Sequence, residues 1–339
     1  MRLGIVGLAS RFWPSAFAQR ALQIPGVELR AAADLGRSTA ELQATLGTDA
    51  AAFAERFGVR LYRDPADMIV EEKLAAVFLC AETARQVEYA EVACKAGVDL
   101  YIAKPMAATL ADADRIVRAA REAGVIASTG NTERFDGALR EAHRLVRSGA
   151  IGDPLMIRAL HQHGNIGSFG PDDWYWKPEH GGPELSLIWY VADVLRWFID
   201  APVIRVYAEY DNFASSDSPF MDNGKAIFRF ANGAIGSFDV YFSVAGFQMP
   251  RWEIEIVGSR GAIRTQQSAY EGTVFTAEGP RSFYRNQNDV LLAEMRAWID
   301  CCRERRSPEI TLEHAREILE ISLACRQSNQ QHRPIELSV

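Results

Sequence analysis

The 339 residues contain no Cys-x-x-Cys or Cys-x-x-His pair, and the five cysteines (Cys80, Cys94, Cys301, Cys302 and Cys325) are an odd number. A disulfide framework or a zinc knuckle is therefore not expected, no metal site is expected, and a reducing cytoplasm fits. No apolar run approaches the ~20 residues of a membrane span. Met1 to Gly7 reads as a buried strand rather than as the basic and apolar regions of a signal peptide. Excess positive charge is also missing: Lys and Arg total 37 against 44 Asp and Glu, a formal net charge of −7. That balance speaks against nucleic acid or a membrane surface as partner. There is no Walker loop, no nucleophile elbow and no long linker or repeat. What remains is ordinary globular composition, 48% hydrophobic and 24% charged, at a length that suits two domains.

The first 130 residues alternate short apolar runs with helical patterns. Strand-like runs fall at 3–7, 27–34, 75–80, 99–103 and 125–130, with helical stretches near 38–56, 84–96 and 109–123 and one opening at Pro14. Such alternation predicts βαβ units and a parallel sheet covered on both faces. The character changes near 150, at the turn-rich Ser148-Gly149-Ala150-Ile151-Gly152-Asp153-Pro154. Next come a strand at 155–163, a Gly- and aromatic-rich loop at 164–182 and a helix at about 183–199. That helix is apolar nearly all round, so it is expected to be deeply buried. Strands dominate from 203 to 276. Ala226–Ala231 and Ala234–Phe242 are joined by Asn232-Gly233, a strong hairpin signal. Two helices close the chain. The expected organisation is an α/β domain over 1–125 and an α+β domain over 126–339 on a mostly antiparallel sheet, with the last helices able to pack back on the first domain.

Four sets of residues can carry chemistry. The first strand ends in Gly7-Leu8-Ala9-Ser10-Arg11-Phe12, where a dinucleotide fingerprint would read G-x-G-x-x-G. Only Gly7 keeps its glycine. Asp34 ends the second strand, 22 residues after Phe12, where a carboxylate can accept hydrogen bonds from an adenosine ribose and repel a 2′-phosphate. NAD is thus favoured over NADP, with Arg37 close enough to blur the preference. Lys104, in Ala103-Lys104-Pro105, comes after the fourth strand at the carboxyl end, where parallel sheets bind ligands, and Pro105 biases it toward extended backbone. On the buried helix, Ser186, Tyr190, Asp193 and Trp197 recur at spacings of 4, 3 and 4 and share one face. Asp193 can pair with Arg196 one turn on. His161 and His163 point to one side of a strand, and His163 is a candidate substrate contact. Trp174 and Trp176 are candidate walls for a sugar ring.

Taken together, the chain resembles the glucose-fructose oxidoreductase / inositol dehydrogenase / rhizopine catabolism (Gfo/Idh/MocA) family. The resemblance rests on Gly4-Ile5-Val6-Gly7-Leu8-Ala9, Ala96-Gly97 leading to Tyr101-Ile102-Ala103-Lys104-Pro105, and Gly130 to Phe135. It continues through Ser148 to Gly152, Gly181-Gly182 with its helix, and Glu255 to Gly261. It implies a Rossmann domain plus an open-faced sheet domain, and NAD- or NADP-linked oxidation or reduction of hydroxyl carbons in sugars, inositols or related polyols. The family's Glu-Lys-Pro is Ala-Lys-Pro here, and its Thr-Pro-Asn turn is Ala81-Glu82-Thr83. The Asp and His of its helix are Ser186 and Tyr190; some members carry Tyr at the latter position. The resemblance implies cofactor contacts at Gly7, Ala9, Ser10, Arg11, Phe12, Asp34, Cys80, Ala81, Glu82 and Lys104. It implies Lys104 and Tyr190 as catalytic groups with Ser186 in a proton relay, and subunit pairing into a homodimer or homotetramer through the C-terminal sheet. A redox-neutral sugar enzyme with bound NAD and a non-catalytic NAD/sugar sensor are the alternatives.

Overall fold

The computed structural model describes residues 1–162, 174–213, 220–243, 252–266, 271–284 and 288–338. The chain divides into two compact units: Met1–Gly130 with Gly170–Gly182 and Leu291–Leu319, and Asn131–Phe169 with Pro183–Val290 and Glu320–Val339.

The first unit is built on six parallel strands: β1 (Arg2–Val6), β2 (Glu28–Ala33), β3 (Arg60–Tyr62), β4 (Ala76–Leu79), β5 (Asp99–Ile102) and β6 (Ala127–Thr129). Their order in the sheet is β3-β2-β1-β4-β5-β6. This is the doubly wound order, which reverses between β1 and β4 and opens a crevice there at the carboxyl ends of the strands. The connecting helices are α1 (Trp13–Ala21), α2 (Thr39–Thr45), α3 (Ala50–Phe57), α4 (Pro65–Glu72), α5 (Gln86–Lys95) and α6 (Leu110–Ala123). Strand β3 is not expected from the sequence. It has three residues, lies at the sheet edge and is partly exposed, so it carries no apolar run. The single helix expected over 38–56 is two, because Gly47 takes a left-handed φ of 82° and Asp49 caps a new helix at Ala52 N.

One late helix belongs to this unit. Along α9 (Val290–Glu304), Leu291, Met295, Trp298 and Cys302 join the same core as Leu3, Ile5, Phe17, Phe78 and Tyr101. Phe78 and Tyr101 meet the Trp298 ring at 5.3 and 5.5 Å. The helical spacing of these four residues is legible in sequence, but the surface they cover is not.

The second unit holds a nine-stranded sheet in the order β14-β13-β12-β11-β7-β10-β9-β8-β15. Its central strands are β7 (Pro154–Gln162), β9 (Asn223–Phe230), β10 (Ile235–Tyr241), β11 (Trp252–Gly258) and β12 (Gly261–Gln266). Toward one edge lie β13 (Glu271–Thr276) and β14 (Gly279–Tyr284), toward the other β8 (Val203–Asp211) and β15 (Ile335–Glu336). Pairing is antiparallel apart from β7 with β10. The β9–β10 hairpin turns at Asn232-Gly233, where Gly233 has φ 87° and the Asn232 side chain accepts from Ala234 N. The helices α7 (Gly137–Arg147) and α8 (Gly182–Ile199) stand before and after β7 in the chain, and α10 (Leu312–Gln331) spans the division between the units. Among the described residues no helix is long and apolar enough to cross a membrane.

Candidate active site

At the carboxyl end of the parallel sheet, β1 leads into Gly7, whose φ is 90°. Its N–H donates to the Ala33 carbonyl at 2.9 Å, and Ala9 N–H donates to the Cys80 carbonyl at 3.2 Å. A Cβ on Gly7 would stand 2.8 Å from Ala81 N and 2.9 Å from Ala81 Cα. The turn after β1 and the turn after β4 thus touch backbone to backbone, and only glycine fits. This is the close approach that the first glycine of the dinucleotide fingerprint provides. Ala9, at the second fingerprint position, is 1% exposed, so its methyl packs inward without opening the turn. The Ser10 hydroxyl accepts from Phe12 N and Trp13 N at 3.1 and 3.3 Å, and so satisfies donors at the N-terminus of α1. A pyrophosphate at this helix N-terminus would share these donors with Ser10 or displace it. Phe12 is 57% exposed beside them, and the Arg11 guanidinium donates to the Ala44 carbonyl at the end of α2.

Asp34 comes directly after β2. One carboxylate oxygen accepts from Gly36 N at 2.8 Å, and the other takes no hydrogen bond from a described residue. That leaves an acceptor at the position that takes the adenosine ribose. Arg37, three residues on, forms a buried ion pair with Glu82. Cys80 acts through its backbone; burial pushes its thiol well above the ordinary range, so it stays protonated. The residues fit a dinucleotide: a glycine cradle, helix N-terminal donors and an acid at the end of β2.

The sequence places Trp174 and Trp176 beside a substrate. Both are half-buried on a single 3₁₀ turn, Trp174–Trp176. The indole N–H of Trp174 donates to the Ala9 carbonyl, and His180 Nδ1 accepts from Ala84 N at 3.2 Å. The segment 174–182 is therefore fastened to both cofactor turns of the first unit. Burial pulls the His180 pKa down, which keeps the ring neutral and its acceptor nitrogen available.

Lys104 lies just past β5. Its Nζ is 6.0 Å from the centroid of the Trp13 ring. The flanking backbone is held by Gln86, which sequence reasoning misses: its buried amide donates to the carbonyls of Ala103 and Pro105, each at 2.9 Å. The available signal is a polar residue on the otherwise apolar inner face of α5, alongside Val87, Tyr89, Ala90, Ala93 and Cys94.

In the second unit α8 carries Ser186 and Tyr190. Ser186 is buried and Tyr190 half-buried on a helix whose Leu185, Ile188, Val191, Val194 and Leu195 are at most 1% exposed. The register of this helix is fixed by Asp193. Arg196, the partner expected from spacing, also lies 3.9 Å from Asp200. Asp193 takes a bidentate pair from Arg134, with Nε at 2.8 Å and Nη2 at 2.5 Å, and a bond from Asn131 Nδ2 at 2.8 Å. Asn131 Nδ2 also donates to the Tyr190 carbonyl at 3.1 Å. Both charged partners are about 95% buried or more. Two donors 59 and 62 residues away in sequence thus pin the turn of helix that presents Tyr190. The Tyr190 ring meets His161 edge-on at 5.5 Å, and His161 stacks on Trp252 at 4.3 Å. His163 lies outside the described residues.

Comparison with known proteins agrees with this geometry. Residues 1–131 match the model of the oxidoreductase family with an NAD-binding Rossmann fold, and residues 139–264 match the GFO/IDH/MocA C-terminal domain. The chain is 26% identical to myo-inositol 2-dehydrogenase of Thermotoga maritima over 84% of its length and 86% of that protein. It is 22% identical to scyllo-inositol 2-dehydrogenase (NAD(+)) of Bacillus subtilis, over 84% of each. The crystal structure of myo-inositol 2-dehydrogenase from Lactobacillus plantarum has the same fold, with a TM-score of 0.82 at 23% identity over 100% of this chain and 99% of that one. The chain belongs to the GFO/IDH/MocA family of NAD-binding oxidoreductases.

Proposed function

We propose that the protein is an NAD-linked dehydrogenase acting on a secondary hydroxyl of an inositol, a sugar or a related polyol, with Tyr190 as the base and Lys104 as its electrostatic partner. The observation that carries this is the α8 stripe: a phenol and a hydroxyl one turn apart on a largely apolar, buried helix that also carries the Asp193–Arg134 pair. The bound nicotinamide supplies a hydride acceptor. The alcohol proton must leave as the hydride does, so a positioned base is required. A phenol ionises ordinarily near ~10, and an ammonium acting on the same substrate favours its phenolate. Tyr190 takes the hydroxyl proton, Ser186 one turn earlier passes it onward, and Lys104 orients the hydroxyl. Gln86 holds the Lys104 backbone. Trp174 and Trp176 form an apolar wall for the ring, and His163 is the rival base. Kinship with proteins named inositol 2-dehydrogenases supports a cyclic polyol as substrate.

The same reading includes a homodimer or homotetramer formed through the C-terminal sheet. Phe275, Val257 and Met156, 43%, 40% and 53% exposed, stand in one cross-strand row that an isolated chain leaves in water. Five free, buried cysteines support a cytoplasmic setting.

The test is a panel of inositols, sugars and polyols with added NAD, read by NADH absorbance. Net NADH with Tyr190-dependent turnover supports the reading. Product without net NADH identifies a redox-neutral enzyme, and binding without turnover identifies a sensor. Unimpaired turnover in Tyr190→Phe moves the base to His163.

A further inference from the structure

The turn after β2 is folded so that its basic residue is directed inward. Leu35 and Gly36 both take left-handed φ, 60° and 72°, and the Asp34 carboxylate caps Gly36 N. A leucine rarely adopts that conformation, so the surroundings must hold it there. Arg37 is the only cation of the stretch 34–37, and its guanidinium meets Glu82 in the turn after β4. The two side chains are 10% and 7% exposed. A carboxylate at this depth is rarely left without a counter-charge, and Arg37 supplies it.

This pairing bears on the choice between the two pyridine nucleotides. In a Rossmann fold the acid that ends the second strand binds the ribose 2′-hydroxyl, and a nearby arginine is what accommodates a 2′-phosphate. Asp34 and Arg37 supply one of each, so the sequence favours NAD but Arg37 blurs the preference. The ion pair decides it. We propose that Glu82 is a cofactor-specificity residue: by binding Arg37 in a buried pair it withdraws that guanidinium from the 2′-phosphate of NADP, and the protein takes NAD. With Glu82 in place, Asp34, Arg37 and Glu82 together carry a formal charge of −1 (−1 + 1 − 1). Without the Glu82 charge the sum is zero, and no Glu82 carboxylate competes with phosphate for a charge-assisted, bidentate contact with the guanidinium.

The inference rests on the family's dinucleotide site being in use. The experiment is titration of the purified protein with NADH and with NADPH, read by tryptophan fluorescence, with Trp13 and Trp174 at the cofactor turns as reporters. Wild type is expected to bind NADH more tightly than NADPH. Glu82→Gln is expected to narrow the ratio of the two dissociation constants by about tenfold or more, through tighter NADPH. Adding Arg37→Ala to Glu82→Gln is expected to remove that gain, and Glu82→Asp to keep the preference for NADH. If Glu82→Gln does not fold, Arg37→Gln replaces it. There the uncompensated Glu82 carboxylate is expected to weaken NADPH further while NADH changes little. An unchanged ratio in folded Glu82→Gln, or in Arg37→Gln, overturns the role of Glu82. A gain that survives the loss of Arg37 also overturns it, and assigns the phosphate to Arg11. A wild-type protein that binds neither nucleotide overturns the cofactor reading itself, which is a different result.

Discussion

The two units hold their functional groups by different means. In the first, the turns are held largely by backbone contacts, Gly7 against Ala81, Ala9 N–H on the Cys80 carbonyl, and the carbonyls of Ala103 and Pro105 on one buried amide, with the buried Arg37–Glu82 pair beside them. In the second the hold comes from buried polar and charged side chains, with Arg134 and Asn131 clamping Asp193 and Asn131 also reaching the Tyr190 carbonyl. A backbone site tolerates sequence erosion wherever the turn survives, which is why a single glycine of the fingerprint suffices. A site built on a buried ion pair does not, because losing one partner strands a charge away from water.

Substitutions at either end of that contrast should separate cofactor binding from turnover. The largest effect is expected at the proposed reacting groups. Tyr190→Phe should lower kcat by about 10²–10⁴-fold, the range for a lost general base, with NADH affinity unchanged. On the roles proposed above, Lys104→Met should lower it comparably and shift the pH profile of any residual activity upward. Equal losses of NADH affinity in both would break the comparison.

Next in size is the clamp. Asp193→Asn leaves the Arg134 guanidinium buried without its carboxylate, at a cost of roughly 3–5 kcal/mol. Thermal unfolding should fall steeply while the protein that remains folded still binds NADH. Gly7→Ala should do the reverse on a smaller scale. A residue held at φ 90° against the Ala81 backbone costs ~1–3 kcal/mol of local strain, and NADH affinity should fall before global stability does. Gln86→Leu should be milder still, roughly a tenfold loss in kcat as the Lys104 backbone loosens, with little change in melting temperature.

The smallest effects are pH-dependent, and both units contribute one histidine. Burial, aided by Arg147 and Arg134, pulls the His143 pKa down from 6.5 to about 4, with its ring stacked on Trp197 at 4.0 Å. The His180 pKa is lowered too, chiefly by burial. In each case the unfolded or opened form binds the proton first. The stabilisation is therefore complete above the ordinary value of 6.5 and is lost as pH falls below it, for His143 down to about 4. Limited proteolysis at 174–182 should quicken between neutral and mildly acidic pH. His180→Phe should cleave at a rate that no longer depends on pH in that range.

Legibility tracks the range of the interactions. The alternation of strands and helices, the Asn232-Gly233 hairpin and the positions of Gly7, Asp34 and Lys104 are readable, because each depends on residues a few positions apart. Strand β3 is not, since three half-exposed edge residues carry no apolar pattern. The bidentate partner of Asp193 escapes a local rule, because spacing along a helix suggests Arg196 and says nothing of Arg134, an arginine from another segment that makes two hydrogen bonds. Trp174 looks in sequence like part of a substrate wall, and its indole is fastened to the cofactor turn; no local rule links residues 165 positions apart.

By itself the sequence determined the periodicities, and with them a parallel sheet whose strands end in a glycine, an acid and a lysine. Only the tertiary structure decided which charges neutralise one another: Arg37 with Glu82, and Arg134 with Asp193. Secondary structure comes from backbone geometry that every residue carries locally. The pairing of buried charges depends on which side chains the fold brings out of water together, and that is set only when distant segments meet.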